Sequence, residues 1–104
     1  MKAIVVGPDR GIADALDAEG VEVTRIEGVA SGERLRDAGV DDADLLVVTD
    51  AGEATAIPVA KERNPDLKTV AYSPDSMPEF VKGVLDLAVD PALLDAATVA
   101  EELA

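Results

Sequence analysis

Gly7-Pro8-Asp9-Arg10-Gly11 stands directly after the first apolar run of the chain, where a doubly wound fold places its phosphate-binding turn. A dinucleotide loop needs G-x-G-x-x-G. The second glycine lets backbone approach the pyrophosphate, and the third lets helix pack on strand. Here those positions hold Gly7, Asp9 and Ile12, so only the first glycine is present. A carboxylate at Asp9 faces the phosphates and repels them. Gly11 adds a flexible joint, and Arg10 sets a positive charge near a helix N-terminus. Glu27 stands at the distance from Gly7 where a ribose-binding acid belongs. Two readings follow. In one, Gly7, Asp9, Arg10, Gly11, Glu27, Gly28, Thr49 and Asp50 surround NAD or an adenine nucleotide. In the other these residues are a turn and strand ends. The second needs no ligand and is preferred. With Asp9 in place no nucleotide binding is expected at sub-millimolar concentration, and Asp9→Gly is expected to improve it.

Asp9, Glu27, Asp50, Asp75 and Asp90 all fall near one edge of the expected sheet. Clustered carboxylates hold Mg²⁺ or Ca²⁺ when they converge. They also cap helix N-termini, which lie on that same edge. Capping accounts for Asp50, Asp90 and Asp9, and no metal ligand is assigned. The chain has no cysteine and no histidine. That excludes disulfides, thiolate nucleophiles, Cys/His zinc sites, Ser-His-Asp triads and imidazole acid–base work. Carboxylate catalysis at Asp9 or Asp50 lacks a nucleophile–base pair, so no catalytic residue is named and a non-catalytic role is expected.

The elements that must position these residues read as one α/β domain over residues 1–104. Lys2–Val6 is the first strand, followed by a helix from Asp9 to Glu19 that Gly20 stops. Val21–Ile26 alternates, with Val21, Val23 and Arg25 on one face and Glu22, Thr24 and Ile26 on the other, as an edge strand does. Ser31 caps a short helix through Ala38. Leu45–Val48 is wholly apolar and reads as a strand buried on both faces. Asp50 with Glu53 resembles a capping box, but Pro58 would break a helix begun there. The helix is therefore expected to start near Thr55, leaving Asp50–Ala54 as a loop. Leu67–Ala71 is the fourth strand, with Tyr72–Asp75 a loop. Ser76 to Glu79 fits a capping box opening a helix to Lys82. Leu85–Val89 is the last strand. Asp90-Pro91 then starts a helix whose apolar face is Leu93, Leu94, Ala97 and Ala100. Right-handed crossovers turn this alternation into a doubly wound, Rossmann-like three-layer α/β/α fold with a five-stranded parallel sheet in the order 2-1-3-4-5. Its crevice lies between strands 1 and 3.

Twenty-two acids against nine bases give a net charge of −13. Nucleic acid is a poor partner for such a surface. The acids are spread along the whole chain, which fits the solvated surface of a protein from a salt-loaded cytosol, as in a haloarchaeon. No apolar run approaches membrane length or suits a signal peptide, so a cytoplasmic protein without membrane insertion is expected.

Gly28, Leu35–Asp50 (LRDAGVDDADLLVVTD), Ala60–Tyr72 (AKERNPDLKTVAY) and Gly83–Leu103 (GVLDLAVDPALLDAATVAEEL) resemble the TrkA-N domain, the Rossmann domain that regulates K⁺ channels and transporters and is also called RCK. The resemblance implies NAD or adenine nucleotide in the crevice, regulation rather than chemistry, a transporter as protein partner, and pairing as a homodimer through helices flanking the sheet. The chain departs from the family at Asp9, Val29, Thr55 and Tyr72, where ligand-bearing residues stand in the family, and it is shorter by a βα unit. The reading is a TrkA-N-type regulatory or interaction module with weakened nucleotide binding. The alternative is a nucleotide sensor acting on a transporter.

Overall fold

A computed structural model describes residues 1–104. The strands are β1 (Lys2–Val6), β2 (Glu22–Ile26), β3 (Leu45–Val48), β4 (Lys68–Tyr72) and β5 (Leu87–Val89). The helices are α1 (Ile12–Ala18), α2 (Gly32–Asp37), α3 (Ala56–Arg63), α4 (Glu79–Lys82) and α5 (Ala96–Leu103), with 3₁₀ turns at Val40–Asp42 and Ala51–Glu53. All strand pairs are parallel and the order is β2-β1-β3-β4-β5, as the alternation of strands and helices predicts.

Strand alternation divides the core into two layers. Ala3, Val5, Leu45, Val47, Val70 and Tyr72 face α1 and α5. Ile4, Val6, Leu46, Val48 and Ala71 face α2, α3 and α4. β3 is buried along its whole length because both layers cover it. With few aromatics, the layers are built from Ala, Val, Leu and Ile, and Tyr72 is the largest fully buried side chain.

Several element ends differ from the sequence reading. α1 begins at Ile12, because the Asp9 carboxylate accepts from the Gly11 amide and the turn so formed holds Gly11 at a φ of 83°. Ser31 does cap α2, accepting from the Arg34 amide at 3.2 Å. α3 starts late, as Pro58 requires, and Pro58 sits in its first turn. β4 runs through Tyr72, which leaves the expected loop to pack in the core and donate to the Leu94 carbonyl at 3.0 Å. Ser76 makes no cap on α4. The last helix starts at Ala96 rather than Pro91, capped by Asp95, whose carboxylate accepts from the Thr98 amide at 2.8 Å. Asp90 instead closes a turn through the Ala92 amide. Leu93 and Leu94 lie on that turn and are exposed, whereas Val99, Ala100 and Leu103 form the helix's buried face.

Asp86 sits outside β5 and fastens its start. Its carboxylate accepts from the Thr69 amide at 2.8 Å and pairs with Lys61 at 3.2 Å. The Thr69 amide, and after it Lys61, hold the Asp86 carboxyl below its ordinary range. A depressed carboxyl stabilises the fold above the unfolded pKa, about 3.9, and that share is lost as pH falls through the folded value. Asp86→Asn should therefore melt below the unmodified chain at neutral pH, and the gap should close under acid. A gap that stays constant down the pH scale would show that the carboxylate's charge plays no part.

Candidate functional site

Thr49 directly follows the central strand and is wholly buried. Its amide donates to the Val6 carbonyl at 2.9 Å, and its hydroxyl reaches the Pro8 carbonyl at 2.7 Å and the Val6 carbonyl at 3.2 Å. Arg10 Nε donates to the Thr49 carbonyl at 2.8 Å, so the loop after β1 is tied to the end of β3 from both sides. Gly7 makes this approach possible. It has a φ of 109°, and a Cβ there would lie 2.5 Å from the Thr49 hydroxyl oxygen.

Over this knot opens a crevice of about 440 Å³ at the carboxyl ends of β1, β2 and β3, where the winding of the sheet reverses. Of the expected site residues, Gly7, Asp9, Glu27, Gly28 and Asp50 line it. Thr49 lies beneath its floor, Arg10 turns toward Thr49, and Gly11 caps α1. Pro8, Arg25, Val29 and Glu53 complete the lining.

The carboxylates here are engaged locally. Asp9 accepts from Gly11 at 2.7 Å, Asp50 from Gly52 at 2.9 Å, and Glu53 from the Ala30 amide at 2.9 Å. Each satisfies an amide at a turn or loop. Glu53 thereby joins the β3–α3 loop to the β2–α2 loop instead of closing a capping box. No three acids converge as cation ligands would. Arg25 is the one cationic side chain in the lining. It donates to the Gly7 carbonyl at 3.0 Å and stands 3.6 Å from the Glu27 carboxylate, while its Nε is buried without a partner. Arg34 holds the Glu27 and Val29 carbonyls, which fixes the turn at Gly28. The crevice therefore presents four carboxylates against one guanidinium.

The sequence does not single out Arg25 and Glu53, which the fold brings into the lining. Arg25 was legible as the lone base in an alternating strand. Glu53 was not, since its amide partner lies on another loop. Tyr72 lies behind the site. Burial first, and then Asp95, push its hydroxyl pKa up, with Arg10 acting against them.

The chain belongs to the family of unknown function DUF7126, which matches residues 3–103. No curated protein matches the sequence. Solved structures that share its fold include three response regulators. An orphan response regulator of H. pylori aligns with 99% of this chain and 92% of its own, at 16% identity and a TM-score of 0.76. An atypical orphan response regulator with a phosphorylation-independent regulatory mechanism aligns with 98% of this chain and 91% of its own, at 16% identity and a TM-score of 0.72. The response regulator TrrA, solved in complex with the histidine kinase ThkA, gives 99%, 96%, 19% identity and a TM-score of 0.68.

These findings overturn the TrkA-N (RCK) resemblance. With it go the module of TrkA-N type, the nucleotide binding and the transporter partner that it implied. The physical reason lies in which residues carried it. Leu45–Val48 is a doubly buried strand, Asn64 holds the Val40 and Ala43 carbonyls, and Ala43 packs under α3. Such residues build any doubly wound sheet, so they report a fold shared by many proteins. No helix is long and apolar enough to cross a membrane.

Proposed function

We propose that residues 1–104 act as one regulatory signalling domain, in the cytosol, that works by contact with a protein partner and takes no phosphoryl group. The observation that carries this reading is Thr49. It directly follows the central strand at the switch point, and its hydroxyl is buried against two carbonyls. A phosphoryl acceptor there needs an exposed nucleophile, a divalent cation and positive charge for the phosphoryl oxygens. Thr49 is out of reach, and Asp50 beside it is turned to the Gly52 amide. Asp9 and Glu27 further repel an anionic donor. The shared fold supports the signalling part, since one relative in fold is solved with a histidine kinase and another regulates without phosphorylation.

The test is incubation with acetyl phosphate and Mg²⁺, followed by intact mass and an amide spectrum. An unchanged mass and spectrum are expected. An added phosphoryl group that disappears in Asp50→Asn would overturn the reading and make Asp50 the acceptor.

A further inference from the structure

Five of the eight large exposed apolar side chains fall close together in the chain: Phe80, Val84, Leu87, Leu93 and Leu94. They flank or lie on β5 in the chain, and β5 is far less buried than the inner strands of the sheet. β1, β3 and β4 are buried along nearly all their length. In β5, Leu87 is 39% exposed, Ala88 is also exposed, and Val89 is half-buried. Neighbouring residues of a strand point to opposite faces, so β5 is exposed at Leu87 on one face and Ala88 on the other, with only Val89 packed against the core. The cause is visible in the flanking helices. α4 is four residues long, and α5 lays Val99, Ala100 and Leu103 over the middle of the sheet beside α1. The outer side of β5 meets no strand either. The opposite edge is managed differently. β2 carries Glu22, Thr24 and Arg25, which discourage pairing.

We propose that the free edge of β5 docks an extended, basic segment of a protein partner, which adds to the sheet as a sixth strand. Backbone groups of an edge strand supply the hydrogen bonds of such an addition, and alternate side chains supply the choice of partner. Leu87, Val84 and Leu93 offer apolar contact to alternate residues of the incoming strand. Charge decides the rest. Of the bases near this edge, Lys61 is committed to Asp86 and Lys82 to Glu79, while Lys68, at the start of β4, makes no ion pair. Asp75, Asp90 and Asp95 have no basic partner within 4 Å. Lys or Arg flanking the incoming strand would meet these acids. A second copy would bring the same acids and a net charge of −13 to a three-residue pairing. The inference rests on the reading of the chain as a partner-binding domain, and names the partner's chemistry.

A random peptide library displayed on phage, selected on the intact chain, tests it. Enriched peptides are expected to alternate apolar and polar residues and to carry Lys or Arg. Binding of the leading synthetic peptide should move amide signals of residues 84–94 and fall by about tenfold or more, roughly 1.4 kcal/mol, in Leu87→Lys. Leu87→Lys leaves the backbone intact, so loss of binding with an unchanged fold implicates the edge. Ala88→Pro removes a strand amide and should weaken binding as well. The same peptide with Glu for Lys should not bind. No enrichment, acidic enriched peptides, or signals that map to another surface would each overturn the proposal. So would a dimer mass in light scattering that Leu87→Lys abolishes, since the edge would then belong to a second copy. The acetyl phosphate experiment is independent of these outcomes, so the two readings fail separately.

Discussion

Gly7→Ala is expected to destabilise the fold by about 2–5 kcal/mol, a large part of the 5–15 kcal/mol that holds a domain of this size. Two costs add. A side chain at a φ of 109° is strained, and left-handed backbone costs roughly 1–2 kcal/mol for an L-residue. The new Cβ would also lie 2.5 Å from the Thr49 hydroxyl oxygen, with the Asp50 amide at 3.3 Å behind it. Overfilling a packed site costs about 1–3 kcal/mol. Thr49 cannot turn away without leaving the Pro8 carbonyl short of its donor. Urea unfolding measures the loss, and a double-mutant cycle separates its parts. Thr49→Ala removes the clash but not the backbone strain. The pair Gly7→Ala with Thr49→Ala should therefore lose less than the two single changes together, by about 0.5–3 kcal/mol. Strict additivity would mean that the contact with Thr49 contributes nothing to the loss and that the strain is in the backbone alone. An unchanged midpoint for Gly7→Ala would refute both.

The sheet was legible because its signals are local. Leu45–Val48 is apolar without a break and is buried without a break. Gly20 and Gly39 follow helices and take positive φ, as helix stops do. Pro58 delayed α3 for a steric reason that needs no knowledge of the rest of the chain. The start of the last helix failed because two registers compete there. Asp90-Pro91 with Leu93, Leu94 and Ala97 satisfies the cap and the apolar spacing. Asp95 with Val99, Ala100 and Leu103 does so too, and tertiary packing chose the second. Helix α5 lies against α1, with Ala96 3.7 Å from where a Cβ on Gly11 would be. The candidate site was half legible. Turn residues such as Gly7 and Asp9 announced the crevice, but its inner bonds span loops far apart in sequence. Glu53 to Ala30, Arg25 to Gly7 and Thr49 to Pro8 are of this kind. No local spacing encodes them. The family resemblance misled for a related reason. It was carried by strands and turns, which specify a sheet, while a ligand or partner is chosen by side chains at its edges.

The melting temperature is expected to rise by about 10 °C or more from dilute buffer to molar KCl, at roughly 4–8 °C per kcal/mol for a domain of this length. Five ion pairs engage only five of the 22 acids. Arg10 and Arg34 spend their donors on carbonyl oxygens, so they neutralise no carboxylate directly. Most acids thus repel one another without a counter-charge, and the compact state concentrates that repulsion. The molecule measures 29 × 29 × 24 Å. The screening length is about 30 Å at 0.01 M salt and about 3 Å at 1 M. In dilute buffer each acid therefore acts on every other across the whole molecule, and in molar salt only on its nearest neighbours. Salt also strengthens apolar burial, so the slope alone does not isolate charge. Neutralising Asp14 and Asp17 on α1 with Glu101 and Glu102 on α5, all exposed and on neighbouring helices, isolates it. The amide variant should melt higher in dilute buffer and climb less with KCl, because it has less repulsion to screen. If the variant kept the full slope, the salt response would come from burial rather than charge. A flat response in the unmodified chain would remove the case for a surface adapted to high salt.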